Sequence, residues 1–189
     1  MAYNMKDDIK KVLISERKLQ ATISRLGKQI SKDYEGKNLL LVSILKGAVV
    51  TMADLMRAIT IPCAIDFMVV SSYGAGTSTS GSVKIIKDLD IPLSEYDVLI
   101  VEDILDSGVT LSNLIKILGT RNPRSIRICA LLDKPARRKA EVKADYIGIE
   151  VDDEFVVGYG LDYAEKYRNL PYVGILKEAV YTKPEETAE

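Results

Sequence analysis

Short apolar runs alternate with amphipathic stretches along the chain, and this alternation predicts an α/β fold. Runs rich in β-branched residues, which suit strands buried on both faces of a parallel sheet, occupy residues 39–45, 61–70, 98–101 and 126–132. Apolar residues at helical spacing follow the first and third of these runs, and they also mark a helix from an N-cap at Ser15 to about Tyr34. Shorter strands are predicted at 12–14, 83–86, 145–150 and 172–176. We therefore predict a single α/β domain over residues 1–189, with a mostly parallel central sheet flanked by helices.

The composition is that of a soluble globular protein, with 47% apolar and 28% charged residues. The net charge of −1 gives no electrostatic case for binding nucleic acid. There is no apolar run of transmembrane length and no recognisable signal peptide, so we expect a cytoplasmic protein with no membrane partner. Cys63 and Cys129 lie in apolar, strand-like runs, and we expect them to be reduced core residues.

The chain contains no histidine, and this restricts its chemistry. A Ser-His-Asp triad and a histidine-ligated zinc site are excluded. Proton transfer would fall to carboxylates, lysine or tyrosine. A metal ion would be held by oxygen atoms, which favours Mg²⁺.

Three carboxylates follow the strand at 98–101; they are Glu102, Asp103 and Asp106. We expect them in the turn between this strand and the next helix, at the sheet edge where α/β proteins bind ligands. The first-turn amides of residues 107–110 favour a phosphate, and Gly108 allows it a close approach. The acids suit hydroxyl groups or a divalent cation. A sugar phosphate with a metal ion satisfies all of these groups, while a plain Mg²⁺ site and a solvated turn remain alternatives.

Other polar segments have ordinary interpretations when judged by residue type alone. Lys46 suits a surface charge, and the basic run at 137–139 suits a solvated loop. The segment at 71–82, rich in Gly, Ser and Thr, suits a mobile hairpin loop. Its glycine spacing is no dinucleotide fingerprint, because the third glycine and the following helix are missing. Phe155 would be a core residue and Asp162 a loop acid.

Several segments resemble those of a known family. Val-Glu-Asp-Ile-Leu-Asp-Ser-Gly-Val-Thr-Leu at 101–111 resembles the phosphoribosyl pyrophosphate (PRPP) loop of type I phosphoribosyltransferases, especially the hypoxanthine–guanine branch. Ser-Ile-Leu-Lys-Gly at 43–47 resembles the pyrophosphate loop, and Phe-Val-Val-Gly-Tyr-Gly-Leu-Asp-Tyr at 155–163 resembles the purine-binding hood. The resemblance runs from about Leu39 to Pro171. It implies a Rossmann-like sheet, a lid at about 71–82 and a hood at about 150–180 completed by N-terminal residues; the acidic tail at 183–189 should fray.

The resemblance also implies a role for each site residue. The 5′-phosphate and ribose would be bound by Glu102, Asp103, Asp106, Ser107, Gly108, Val109 and Thr110. The pyrophosphate would be bound by Lys46, Gly47, Ser72, Tyr73 and Arg168, with a cis bond between Leu45 and Lys46. The purine would contact Ile104, Lys134, Phe155, Val156 and Asp162. Mg²⁺ would lie near Glu102, Asp103 and Asp162. Val109 departs from relatives that have lysine there, so phosphate affinity would depend more on amides and hydroxyls.

The activity that the resemblance implies is purine salvage by transfer of 5-phosphoribosyl from PRPP to N9 of hypoxanthine or guanine. Asp106 would act as the general acid/base at purine N7. Lys134 would favour a 6-oxo group over an amino group. A homodimer or homotetramer is expected on the same ground. Two alternatives stay open: a related transferase that uses another base such as xanthine, and a regulatory or RNA-binding protein of the same fold, which would require a basic face.

Overall fold

The computed structural model describes residues 4–72 and 83–182. The strands are β1 (Ile9–Ile14), β2 (Leu39–Leu45), β3 (Cys63–Ser72), β4 (Val83–Lys87), β5 (Asp97–Leu105), β6 (Ser125–Asp133), β7 (Tyr146–Glu150), β8 (Val156–Val157) and β9 (Val173–Leu176). The helices are α1 (Glu16–Asp33), α2 (Val49–Ala58), α3 (Val109–Gly119) and α4 (Glu178–Tyr181). Tyr73, the rest of the predicted lid to residue 82 and the predicted tail at 183–189 lie outside the described residues.

Six strands form the central sheet in the order β4-β3-β2-β5-β6-β7. All neighbours are parallel except β3 and β4, which pair antiparallel at one edge. This confirms the predicted mostly parallel sheet. The sequence neighbours β2 and β3 lie side by side, and β5 crosses over to pair with the other side of β2, where Ser43 lies opposite Val101. The carboxyl ends of β2 and β5 are therefore adjacent at one edge of the sheet.

Helices cover both faces of this sheet, and the strand residues alternate between the two covered faces. Leu39 and Leu41 are buried in a core cluster with residues of α1 and α2. Leu40 and Val42 are buried in a second cluster with residues of α3. Because β2 is covered on both faces, its sequence is an almost continuous apolar run, interrupted by the buried Ser43.

A second, small antiparallel sheet has the strand order β1-β9-β8 and is separate from the central sheet. Its register places Ile9 opposite Leu176 and Val156 opposite Ile175, so the N-terminal strand completes a unit formed by the last third of the chain. The phenol of Tyr167 donates to the Asp8 carboxylate at 2.7 Å, which ties the same two regions together. This small sheet holds the segment around Phe155.

The predicted end of β5 at Val101 is wrong, because the strand continues to Leu105. Glu102 lies opposite Ala130 in the neighbouring strand, and Leu105 lies opposite Asp133. β6 offers backbone partners along this whole length, so the parallel ladder continues through two acids whose strand propensity is low. Glu102 and Asp103 therefore belong to the strand, and only Asp106 lies in the turn.

Cys63 and Cys129 are free thiols; Cys129 is fully buried and Cys63 partly so. Among the described residues, no helix combines the length and apolar character needed to cross a membrane.

Candidate active site

The loops after β2 and β5 meet at the carboxyl edge of the sheet. The peptide bond between Leu45 and Lys46 is cis, as the resemblance implied. Gly47 lies so close to the Asp103 carboxylate that a side-chain carbon on Gly47 would collide with it. Gly160 approaches the carbonyl oxygen of Gly47 just as closely, with a left-handed φ of 99°. Because neither glycine has a side chain, three segments distant in sequence converge here.

The turn after β5 leads into the N-terminus of α3 and forms a cradle for an anion. Gly108 has a left-handed φ of 74° and precedes the first helical residue, Val109. The amide of Ser112 donates to the carbonyl of Gly108 at 2.8 Å, so the amides before Ser112 belong to the helix terminus. A cavity of about 220 Å³ is lined by Ser107, Gly108 and Thr110. A helix N-terminus beside such a cavity favours a phosphate.

Glu102 and Asp103 point to different parts of this edge, because successive strand residues face opposite sides of a sheet. Glu102 lines the cavity of the anion cradle. Asp103 lies against Gly47, and its Oδ1 accepts from the amide of Ile104 at 2.7 Å. The sequence treats the two acids as one pair, whereas the fold gives each a different neighbour.

Burial disfavours the charged form of both acids. It raises the pKa of the Glu102 carboxyl well above its usual range, and the charge of Asp103 raises it further. It raises the pKa of Asp103 to about 6, although the Ile104 amide and Arg168 act in the opposite direction. Two adjacent carboxylates with raised pKa values form a site where a cation would relieve an unfavourable charge.

The donor set fits a magnesium ion that is shared with a phosphate-bearing ligand. Within residues 4–72 and 83–182, no cluster of three or more acidic, cysteine or histidine residues could hold a metal alone. Mg²⁺ is commonly bound by one or two carboxylates, water molecules and substrate phosphates, so it does not require such a cluster. Glu102 and Asp103 supply the carboxylates, and a bound cation would favour their charged forms against the effect of burial.

Asp106 lies in the turn, where a basic residue already faces it. Its Oδ1 is 3.3 Å from Nε of Arg137, an ion pair in which the oxygen has no hydrogen-bond partner among the described residues. Arg137 also lies 3.3 Å from Asp153, so it joins the turn to the segment before the small sheet. Asp106 is thus held beside the site by an ion pair, while its buried Oδ1 accepts no hydrogen bond from the described residues.

Lys134 and Phe155 lie on the side of the small sheet. Lys134 is only 5% exposed, and its ammonium donates to the carbonyl of Glu154 at 2.5 Å. Phe155 is 39% exposed, and one face of its ring stacks on Tyr181 with centroids 4.7 Å apart. Tyr163 meets the Phe155 ring edge-on at 5.6 Å. An ordered aromatic ring with exposed surface beside a buried ammonium group suits a flat heterocycle with a carbonyl group.

Arg168 is the centre of an ion-pair network on the pyrophosphate side. Its guanidinium lies 2.9 Å from Asp162 and 3.2 Å from Glu165. Glu165 is also paired with Lys46 at 3.0 Å. The Nε of Arg168 is buried and has no hydrogen-bond partner among the described residues. The two cations predicted to bind pyrophosphate are therefore bridged by a single carboxylate.

The remaining predicted residues take up ordinary places in the fold. Val109 begins α3, Val156 is buried in β8 and Ile104 is partly buried near the end of β5. Ser72 ends β3 opposite Val83. The predicted role of Tyr73 falls on a residue outside the described ranges.

Two residues with contacts at the site, Glu165 and Arg138, were not predicted from the sequence. No pattern in the sequence marked Glu165, which lies between the predicted site residues Asp162 and Arg168. Arg138 belongs to the basic run that residue type assigns to a solvated loop, and this assignment is wrong for it. The Arg138 side chain is 18% exposed, and its guanidinium donates to backbone carbonyls of β5 and the turn after it.

The fold and the site together define a phosphoribosyltransferase: an anion cradle after one strand, adjoining acids, and a glycine turn after the neighbouring strand. The family model described as "Phosphoribosyl transferase domain" matches residues 13–164. The chain therefore belongs to the phosphoribosyl transferase family. The proteins that it resembles include hypoxanthine–guanine phosphoribosyltransferases, as the PRPP loop and the hood predicted.

The chain is 55% identical over 177 residues to the hypoxanthine-guanine phosphoribosyltransferase of Bacillus subtilis, covering 94% of this chain and 98% of that one. It superposes on a crystal structure of a hypoxanthine phosphoribosyltransferase from Staphylococcus aureus with a TM-score of 0.93 and 51% identity, covering 97% of this chain and 100% of that one. It is also 54% identical over 180 residues to the bifunctional protein TilS/HprT of Listeria monocytogenes, matching 95% of this chain. The chain spans only 28% of the length of that bifunctional relative.

Proposed function

We propose that this protein transfers the 5-phosphoribosyl group of PRPP to N9 of hypoxanthine or guanine, giving IMP or GMP and pyrophosphate. The observation that carries the proposal is the contact of Gly47 with Asp103, which joins the pyrophosphate turn to the PRPP loop. A ligand bound across this contact can present its 5′-phosphate to the α3 cradle and its pyrophosphate to Lys46 and Arg168.

In the reaction, the bond between C1′ and the pyrophosphate oxygen breaks, and the electron pair leaves with pyrophosphate. The bond from C1′ to N9 forms through an oxocarbenium-like transition state, as in glycoside cleavage. Asp106 accepts the proton lost by the purine at N7, and it returns that proton in the reverse direction. Its Oδ1 lies 3.3 Å from Nε of Arg137 but has no hydrogen-bond partner among the described residues, and this oxygen supports the role.

Glu102, Asp103 and Asp162 would hold Mg²⁺ together with the ligand. When bound, the ion would neutralise the charge of the departing pyrophosphate. Lys46 and Arg168 contribute further positive charge, and the planar guanidinium of Arg168 suits a phosphate. The loop at 71–82 is proposed as the lid that excludes water, with Ser72 and Tyr73 nearest the pyrophosphate.

The small sheet is proposed as the hood over the base. Phe155 stacks on the purine, the backbone of Val156 and Asp162 contacts its edge, and Ile104 borders it. Lys134 donates to the 6-oxo group. An amino group at this position would set a donor against the Lys134 donor, so it would be rejected. We further propose a cytoplasmic enzyme, consistent with its two free thiols, that forms a homodimer or homotetramer as the resemblance implies.

One assay tests the proposal. Nucleotide formation is measured with PRPP and Mg²⁺ against hypoxanthine, guanine, xanthine and adenine separately. We expect turnover with the first two bases, none with adenine and none when the metal is chelated. Turnover with xanthine alone would identify the related transferase. Salt-sensitive RNA binding without PRPP-dependent turnover would overturn the proposal in favour of the regulatory alternative.

A further inference from the structure

The Arg138 side chain donates hydrogen bonds to the backbone of the proposed phosphate-binding turn. Its guanidinium donates from Nε to the carbonyl of Asp106 at 2.9 Å and from Nη2 to the carbonyl of Leu105 at 3.2 Å. It also donates from Nη1 to the carbonyl of Val142 at 2.6 Å and from Nη2 to the Asp133 carboxylate. A single, partly buried side chain thus joins the end of β5, the end of β6 and the loop that follows β6.

The neighbours of Arg138 support the same turn through their backbone. The amides of Lys139 and Ala140 donate to the carbonyl of Ser107 at 2.9 and 3.2 Å. Gly108 packs so closely on Val142 and Arg138 that a side chain there would collide with Val142. The carbonyls of three successive residues, from Leu105 to Ser107, are therefore all occupied by the segment at 138–140 or by Lys134, whose amide also donates to Leu105.

These hydrogen bonds fix the carbonyl groups of the turn. They therefore also fix the direction of its amides and side chains. A peptide unit whose carbonyl is held cannot rotate, so the amide of the next residue is held as well. The Ser107 amide shares a peptide unit with the Asp106 carbonyl, and the Gly108 amide shares one with the Ser107 carbonyl. The Asp106 carboxylate stands on the same short segment.

We propose that Arg138 is a positioning residue for phosphoribosyl transfer. It touches no reacting atom, but it fixes the direction of Asp106 and of the amides that bind the 5′-phosphate. The guanidinium of Arg138 serves four acceptors, which the ammonium of lysine, with three donors, cannot do. The inference rests on the proposed function.

The test compares Arg138→Lys and Arg138→Ala with Lys139→Gln, an exposed neighbour whose side chain takes no part in the support. For Arg138→Lys, kcat/KM for PRPP should fall about tenfold to a hundredfold, the scale of loss for a misplaced reacting group. KM for hypoxanthine should change less than KM for PRPP, because none of the four acceptors of Arg138 belongs to Lys134 or Phe155. Lys139→Gln should match the wild type. Wild-type kcat/KM for PRPP in Arg138→Lys would overturn the proposal.

Chemical rescue separates positioning from a general loss of fold. A cavity of about 870 Å³ is lined by Asp133, Arg138 and Val142, so a small solute can reach the vacated place in Arg138→Ala. A low concentration of guanidinium should restore part of the PRPP activity of this variant, and methylammonium should not. No rescue, with losses for PRPP and hypoxanthine that match in size and follow the melting temperature, would mean a merely structural role. If Arg138→Ala does not fold, Arg138→Lys alone decides.

The same experiment distinguishes failure of the inference from failure of the proposed function. If the wild type turns over and Arg138→Lys equals it, only the inference fails. If the wild type shows no PRPP-dependent turnover, the proposed function fails. The inference is then judged by inorganic phosphate affinity in calorimetry, where Arg138→Lys should bind more weakly than both the wild type and Lys139→Gln; equal affinities would overturn it.

Discussion

Lys46 and Glu165 form an ion pair, with Nζ 3.0 Å from Oε1, and the other oxygen of the same carboxylate lies 3.2 Å from Arg168. Glu165 thus occupies the place between two cations where we propose that pyrophosphate binds. Because both side chains of the Lys46 pair are about two-thirds exposed, the interaction is weak enough to be displaced.

Glu165→Gln should strengthen binding of pyrophosphate. The substitution removes a carboxylate that competes for Lys46 and Arg168, and an exposed pair of this kind changes affinity by about two- to fivefold. Calorimetry with magnesium pyrophosphate measures it, with the exposed Glu35→Gln as the control. Weaker binding by Glu165→Gln would show that Glu165 assists the ligand and does not compete with it.

Asp106→Asn should lower kcat by about 10²–10⁴, the range for loss of general acid–base catalysis. Affinity for IMP should change little, because the amide keeps the shape of the side chain and the turn keeps its backbone. Steady-state kinetics and IMP titration give the two values, with Asp152→Asn as the exposed control. Unchanged turnover would remove Asp106 from the mechanism.

Lys134→Met should weaken hypoxanthine and guanine far more than PRPP. Methionine fills most of the volume of this buried side chain but cannot donate to the 6-oxo group. KM values for each substrate, measured at saturation of the other, provide the comparison. Equal losses for base and PRPP would contradict the base-recognition role.

Asp66→Ala should destabilise the fold without entering the chemistry. The buried Asp66 carboxylate accepts from the amides of Asp90 and Ile91 at 2.8 and 3.0 Å and lies 3.7 Å from Lys87. Leaving these donors without an acceptor should lower the free energy of unfolding by about 2–4 kcal/mol in urea denaturation. The exposed Asp90→Ala, as the matched control, should cost less than about 1 kcal/mol. A similar cost for both variants would refute the importance of burial here.

Cys129 should resist thiol reagents at neutral pH until the protein unfolds. Burial raises the pKa of its thiol to about 12, and a raised pKa means less of the reactive thiolate at any lower pH. Its reaction should therefore accelerate as pH rises towards that value, provided that the fold persists. Labelling of Cys63→Ser, which leaves Cys129 as the single thiol, measures this with and without denaturant. Rapid labelling of the native protein would contradict the assignment.

Much of the fold follows from local patterns in the sequence. The strands β2 and β6 and the helix α1 begin and end within a residue or two of their predicted limits, because apolar runs and the Ser15 cap specify them locally. The end of β5 could not be predicted in this way. Its last residues, including Glu102 and Asp103, are strand because β6 lies beside them, and strand pairing depends on a partner distant in sequence.

The sequence by itself determined the chemistry that is possible: no histidine, acids after a buried strand, a helix N-terminus for an anion, and motifs of the hypoxanthine–guanine branch. Only the tertiary structure decided which groups meet. It placed Gly47 against Asp103, gave Glu102 and Asp103 different neighbours, bridged Lys46 and Arg168 through Glu165, and bonded Arg138 to the backbone of the phosphate turn. The physical reason is that residue type and spacing act over a few residues, whereas burial and charge pairing depend on segments that only the folded chain brings together.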